Sequence, residues 1–195
     1  ATLRGAKLAM WQLEETRRLF TRLAEEGREL PLVVISMSLK MFLGKTAKRA
    51  FSDFLSELSA TEAGKICFAF TGEVLFMDAG DLNLKLEEAR EKGLKTALVG
   101  YGEEYCPPLR LKGLKFDYIF FAPEFSCALE RREADARALA GLADAVGFVT
   151  VAQLFKSGKY FPPESFPRPE DDYPADYFVG GTGIPAESLF GEDSA

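Results

Sequence analysis

The spacing of apolar residues changes period repeatedly along this chain, and each change marks an element. Residues 3–27 carry the helical period: Leu8, Trp11, Leu19 and Leu23 fall near one face, Leu13 and Phe20 lie beside it, and Gly27 is a stop. Pro31-Leu-Val-Val-Ile-Ser-Met-Ser-Leu39 follows, a short β-branched run that is apolar on both faces, as a buried parallel strand requires. The pairing then repeats. A helix over about 45–58 turns Phe51, Phe54, Leu55 and Leu58 inward, and 66–70 is a strand. A helix over 81–92 buries Leu82, Leu86 and Ala89 and stops at Gly93; 96–99 is a strand. An irregular turn around 104–112 is interrupted by Pro107 and Pro108, and 116–121 is a strand. One long helix is expected over 126–145, then strands at 147–152 and 177–179. Between those two strands, residues 156–175 hold five prolines among polar residues and read as a long surface loop. A polar tail begins at about 187.

Strands separated mostly by helices predict a parallel α/β sheet. Pattern alone does not separate an open doubly wound sheet from part of a (β/α) barrel. In both, a ligand site lies at the carboxyl ends of the strands.

Composition narrows the chemistry. A chain of 195 residues suits one domain with its own core. The formal net charge of −6 leaves little counterion release for binding a polyanion, so no nucleic-acid partner is expected. Lys45, Lys48 and Arg49, the densest basic group, read as a solvated helix face. No run reaches the ~18 apolar residues of a membrane span. The three cysteines, Cys67, Cys106 and Cys127, lack the spacing of a disulfide framework or a zinc site, and a reducing cytoplasm is expected. Histidine is absent, which removes the Ser–His–Asp triad, the Cys–His pair and His-ligated zinc.

The strand ends carry a resemblance. They read Val34-Ile-Ser-Met-Ser38, Phe70-Thr-Gly-Glu73, Val99-Gly-Tyr-Gly102, Phe116-Asp-Tyr-Ile-Phe-Phe-Ala122, Val151-Ala-Gln153 and Tyr177-Phe-Val-Gly180, with Gly183-Ile-Pro185 beyond. Their order and spacing are similar to the EAL domain, whose active members hydrolyse cyclic di-GMP. The resemblance covers roughly residues 5–186. It implies a partial (β/α) barrel of about six mostly parallel strands with helices outside, the last six units of an eight-stranded form. The family's first two strands, with the Glu-Ala-Leu segment, find no counterpart. The domain is therefore set at 1–186, with the tail at 187–195.

The resemblance also implies a lost active site. Active members use two divalent ions held by carboxylates and an asparagine. At the matching positions this chain has Ser36, Gly72, Val99, Gly100, Phe120, Ala122, Gln153 and Val179. Glu73 lies one place past its match. A slip of one residue turns a strand side chain to the other face, so Glu73 reaches the site only through a bulge and reads first as a solvated loop carboxylate. Gly180-Gly-Thr-Gly183 reads as a turn rather than a phosphate cradle, and the pairs Glu103, Glu104 and Asp171, Asp172 as solvated acids. Tyr101 and Tyr105 divide between core and surface, and Cys106 has no activating partner.

The expected function is that of a catalytically inactive EAL-like module in bacterial signalling, acting through protein contacts or regulation. The alternatives are a receptor that binds cyclic di-GMP without cleaving it and, behind that, an active phosphodiesterase. No catalytic, metal or cofactor residue is assigned. Cyclic di-GMP binding is expected to be weak or absent, because the Glu-Ala-Leu strand that helps grip the dinucleotide in the family has no counterpart, and because Phe120 and Phe121 enter the strand that should carry a lysine and one of them must face the barrel mouth or interior. A protein partner or a second copy is expected instead, at the edge strands: Leu32, Val33, Val34 and Ile35 at one side, Tyr177 and Val179 at the other.

Overall fold

The structure is a computed structural model that describes residues 2–37, 52–103, 106, 108–154 and 174–180. Helix α1 (Thr2–Glu25) leads into strand β1 (Val33–Ser36). A helical stretch at 52–56 and the short helix α2 (Ala60–Ala63) precede β2 (Ile66–Phe70). After β2 come a 3-10 turn (Gly72–Phe76), α3 (Ala79–Glu91) and β3 (Lys95–Tyr101). The chain continues through β4 (Tyr118–Phe121), α4 (Pro123–Glu130), α5 (Ala134–Val146), β5 (Val149–Leu154) and β6 (Tyr177–Gly180). The helix expected over about 45–58 falls largely outside the described residues, as do the loop at 156–173, Glu104, Tyr105, Asp171, Asp172, the Gly181–Gly183 part of the glycine turn and the tail.

The six strands lie side by side in chain order, and every neighbouring pair is parallel. A doubly wound sheet reverses its strand order at a switch point. Here there is none, and successive right-handed crossovers place the described helices on one side. This is the winding of a (β/α) barrel, in agreement with the expected partial barrel.

The two faces of the sheet have separate cores. The outer face joins Ile66, Phe68, Phe70, Leu98, Ile119 and Phe121 to helix residues such as Leu13, Phe20, Leu82, Leu86 and Ala140. The inner face is a smaller cluster contributed by strands alone: Cys67, Ala69, Ala97, Phe120 and Val151, with Val99 and Tyr118 against it. Strand parity alone sorts these residues. Of the two phenylalanines in β4, Phe120 faces the interior and Phe121 the helices.

Two expectations are corrected. The buried face of α1 is Ala9, Leu13, Thr16, Phe20 and Leu23, while Leu8 and Trp11 are 55% and 59% exposed. The spacing 4-3-4-3 keeps those five on one stripe. Thr16 is admitted to it because its hydroxyl donates to the Gln12 carbonyl at 2.8 Å. The helix expected over 126–145 is two helices, broken at Arg132, which takes a left-handed φ of 58°. Arg and Glu are good helix formers, so the break carries no propensity signal.

β1 and β6 are the outermost strands of the sheet. Leu32 and Val34 are exposed, and Ile35 is buried on the helix side. Val33 is half-buried against that same side, and Tyr177 is exposed on β6. Val179 pairs in register with Gln153. No helix among the described residues is long and apolar enough to cross a membrane.

Candidate functional site

A cleft of about 610 Å³ opens at the carboxyl ends of the strands, where the winding of the sheet predicts a site. One wall comes from the end of β2 and the turn after it: Thr71, Gly72, Glu73 and Phe76. The other comes from the end of β3 and its loop: Val99, Gly100, Glu103 and Cys106. Pro123 and Gln153 complete it. Of the positions that the resemblance matched to metal ligands, the structure brings Gly72, Val99, Gly100 and Gln153 together on this cleft. Phe120 and Ala122 are buried and do not line it.

The backbone explains how each wall is shaped. Phe70 ends β2 on the helix side, and the chain then leaves the sheet through the 3-10 turn. That turn, not a bulge, carries Glu73 to the cleft, where its side chain remains exposed. The bulge lies instead in β3. The register with β4 shifts between Val99 and Tyr101, leaving Gly100 as the extra residue with φ +89°. Bulges of this kind re-aim side chains beside active sites. Val99 faces inward and Tyr101 faces the helices, where its hydroxyl donates to the Leu139 carbonyl at 2.6 Å.

Glu103 folds back over the bulge. Its amide donates to the Gly100 carbonyl at 3.1 Å, and its Oε2 lies 3.2 Å from where a Gly100 side chain would begin. A carboxylate from the loop thus fills the place vacated by a side chain at 100. Cys106 lies beneath it. Burial, then the charge of Glu103, pushes the Cys106 thiol up to about 12. The thiol stays protonated at neutral pH and is no nucleophile. Cys67, in the inner cluster, is pushed up to about 12 chiefly by burial. Tyr101 also rises to about 12, first through burial.

Among the described residues the lining includes Glu73 and Glu103 as its acids and no Lys or Arg. Among the described residues no three His, Cys, Asp or Glu side chains gather as a metal site. A pair of hard divalent ions needs six or so oxygen ligands each, and this donor set does not fit it. Phe76 was not foreseen. An aromatic just past a strand's carboxyl end was the available signal.

No protein-family model matches the chain, and no curated protein does. Solved structures do. The PaMucR phosphodiesterase in its c-di-GMP complex is similar with a TM-score of 0.62 and 18% identity, covering 75% of this chain and 60% of that one. The EAL domain of Mycobacterium smegmatis DcpA gives 0.64 and 22%, covering 76% and 68%. The Xanthomonas citri FimX EAL domain in complex with c-diGMP gives 0.60 and 12%, covering 76% and 59%. The chain thus spans about 60% of the length of two of these, and its fold is that of the EAL domain. The expectation that cyclic di-GMP binding is weak or absent is overturned by these likenesses, since two of the neighbours hold that dinucleotide. The physical error was to judge Phe120 and Phe121 by size. Phe120 is packed into the inner cluster and Phe121 against the helices, so neither blocks the cleft.

Proposed function

We propose that this chain is a non-hydrolysing EAL-fold module that serves cyclic di-GMP signalling by binding and contact rather than by turnover. The observation that carries the reading is the lining of the cleft. It stands at the strand ends, but Val99 and Gly100 occupy the positions matched to aspartates, and Glu73 and Glu103 are the carboxylates among its described residues. The cleft falls within the roughly 300–1,000 Å³ that bury a small ligand. Without a carboxylate set for paired metals among the described residues, or any histidine base, nothing in the described lining activates water. Incubation with cyclic di-GMP and magnesium or manganese is expected to give no linear product above a no-protein control, while calorimetry records saturable binding. Product that a chelator abolishes sinks the first half of the proposal; a flat titration sinks the second.

The contact half places a protein partner at the β1 edge. Val33 and Met37 donate to the carbonyls of Lys65 and Ala69 at 2.8 Å, so the amides of Val34 and Ser36 point away from β2. Val34 is also 42% exposed, and an open apolar edge is a template for another chain. In the isolated protein the Val34 and Ser36 amides are expected to exchange with solvent far faster than those of β2. Protection equal to that of β2 would show the edge already covered.

A further inference from the structure

We infer that the turn after β2 is a purine-base subsite of the cleft, in which the Phe76 ring stacks on guanine and the Glu73 carboxylate reads its Watson–Crick edge. The inference rests on the reading of the cleft as a nucleotide site. Gly72–Phe76 is a 3-10 helix, and in that geometry side chains three residues apart eclipse one another. Glu73 and Phe76 are three apart, and both line the cleft. A ring and a carboxylate therefore stand together on one wall.

Phe76 is 75% exposed, more than any other large hydrophobic side chain described. The turn that presents it is firmly held, because Val74 and Leu75 are buried in the outer core and the Arg110 guanidinium donates to the Leu75 carbonyl at 2.6 Å. The ring is thus held in water beside a cleft by an anchored backbone. A planar base laid on it removes apolar area from water on both partners, which is how aromatic side chains grip nucleobases. Glu73 forms no ion pair among the described residues. Its two oxygens match the adjacent N1–H and N2–H donors of guanine. Adenine presents a lone pair at N1 and would set it against the carboxylate charge, so the pair selects guanine over adenine. The described lining offers this ring and carboxylate to the base and no cationic side chain to the phosphates.

The test titrates the protein with guanosine and adenosine by NMR and with cyclic di-GMP by calorimetry. Guanosine is expected to bind at least tenfold more tightly than adenosine. Phe76→Ala should weaken guanosine and cyclic di-GMP by about ten- to a hundredfold, with thermal unfolding unchanged because the ring is exposed. Phe76→Leu keeps apolar bulk and should show the same loss, which separates stacking from size. Glu73→Gln should erase most of the preference for guanosine. Cyclic di-GMP binding that all three variants leave intact overturns the subsite and spares the proposed function. A guanosine preference that depends on Phe76, with no dinucleotide binding, supports the subsite and overturns the dinucleotide reading. Failure of both ligands overturns both.

Discussion

Replacing Gly102 with alanine is expected to cost the protein about 2–5 kcal/mol, a large share of the roughly 5–15 kcal/mol that holds a domain folded. Two effects add. Gly102 has φ +95°, a conformation that L side chains rarely adopt. A Cβ there would also sit 2.4 Å from Cγ and Cδ2 of Phe125 and 2.8 Å from its Cβ. Phe125 cannot swing aside. Its ring packs edge-on against Tyr101 at 5.6 Å and Phe121 at 5.1 Å. Tyr101 is in turn held by its hydrogen bond to the Leu139 carbonyl. The clash therefore spreads to β3, β4, α4 and α5 together. Gly113→Ala is the control, because Gly113 has φ +83° with nothing within 4 Å of the added carbon. It should lose only the backbone part, about 1–2 kcal/mol. Urea unfolding of the two variants checks the account, and equal midpoints would refute the steric half. Gly102 also begins the loop that lays Glu103 over the cleft, so ligand binding should weaken with the fold.

Much of this framework was legible in the residues because parallel strands must be apolar on both faces. The run Ile66–Phe70 is a strand over its whole length, and parity alone put one phenylalanine of β4 indoors. What failed has physical causes of its own. The α1 stripe was set one step round the helix, because Trp11 and Leu8 are more hydrophobic than the Ala9 and Thr16 that are buried. Packing against β1 decides the face, and packing is a tertiary fact. The 3-10 turn at 72–76 has no period to find, being too short, so the site residues Glu73 and Phe76 fell into a stretch read as a loop. The bulge at Gly100 was equally hidden. One glycine between strand residues announces a bulge only once the partner strand is known.

The other feature hidden from sequence pattern is a repeated clamp at the opposite end of the sheet, and it leads to the second large expected effect. Asp117 Oδ2, just before β4, accepts from the Thr96 amide and hydroxyl, both at 2.9 Å. Asp176 Oδ2, just before β6, accepts from the Thr150 amide and hydroxyl at 2.7 and 2.8 Å. In each pair the aspartate amide returns a bond to the threonine carbonyl, at 2.9 and 3.2 Å. Only two residues recur, at strands two units apart, so no repeat shows in the chain. Thr96 and Thr150 are buried, and deleting the carboxylate takes the acceptor from the amide and the hydroxyl proton of each, although the Thr150 oxygen still accepts from the Asp176 amide at 3.2 Å. A buried donor left so costs about 1–3 kcal/mol. Asp117→Ala is therefore expected to destabilise by about 2–4 kcal/mol. It sits between two central strands, and it also loses the contacts from Lys95 at 3.7 Å and Arg90 at 3.9 Å. Asp176→Ala should act more locally. Among the described strands β6 pairs with β5 alone and its Tyr177 is exposed, so the strand should come loose before the barrel unfolds. Amide exchange in β6 should then rise while β2 and β3 stay protected. A double-mutant cycle with Thr96→Val isolates the hydroxyl arm of the clamp, because valine removes the hydroxyl, keeps the shape and leaves the amide bond in place. Coupling of about 0.5–3 kcal/mol is expected for groups in contact. Additive losses from Asp117→Ala and Thr96→Val would mean that the hydroxyl arm of the clamp holds nothing and that the aspartate acts through the Thr96 amide and its ion pairs.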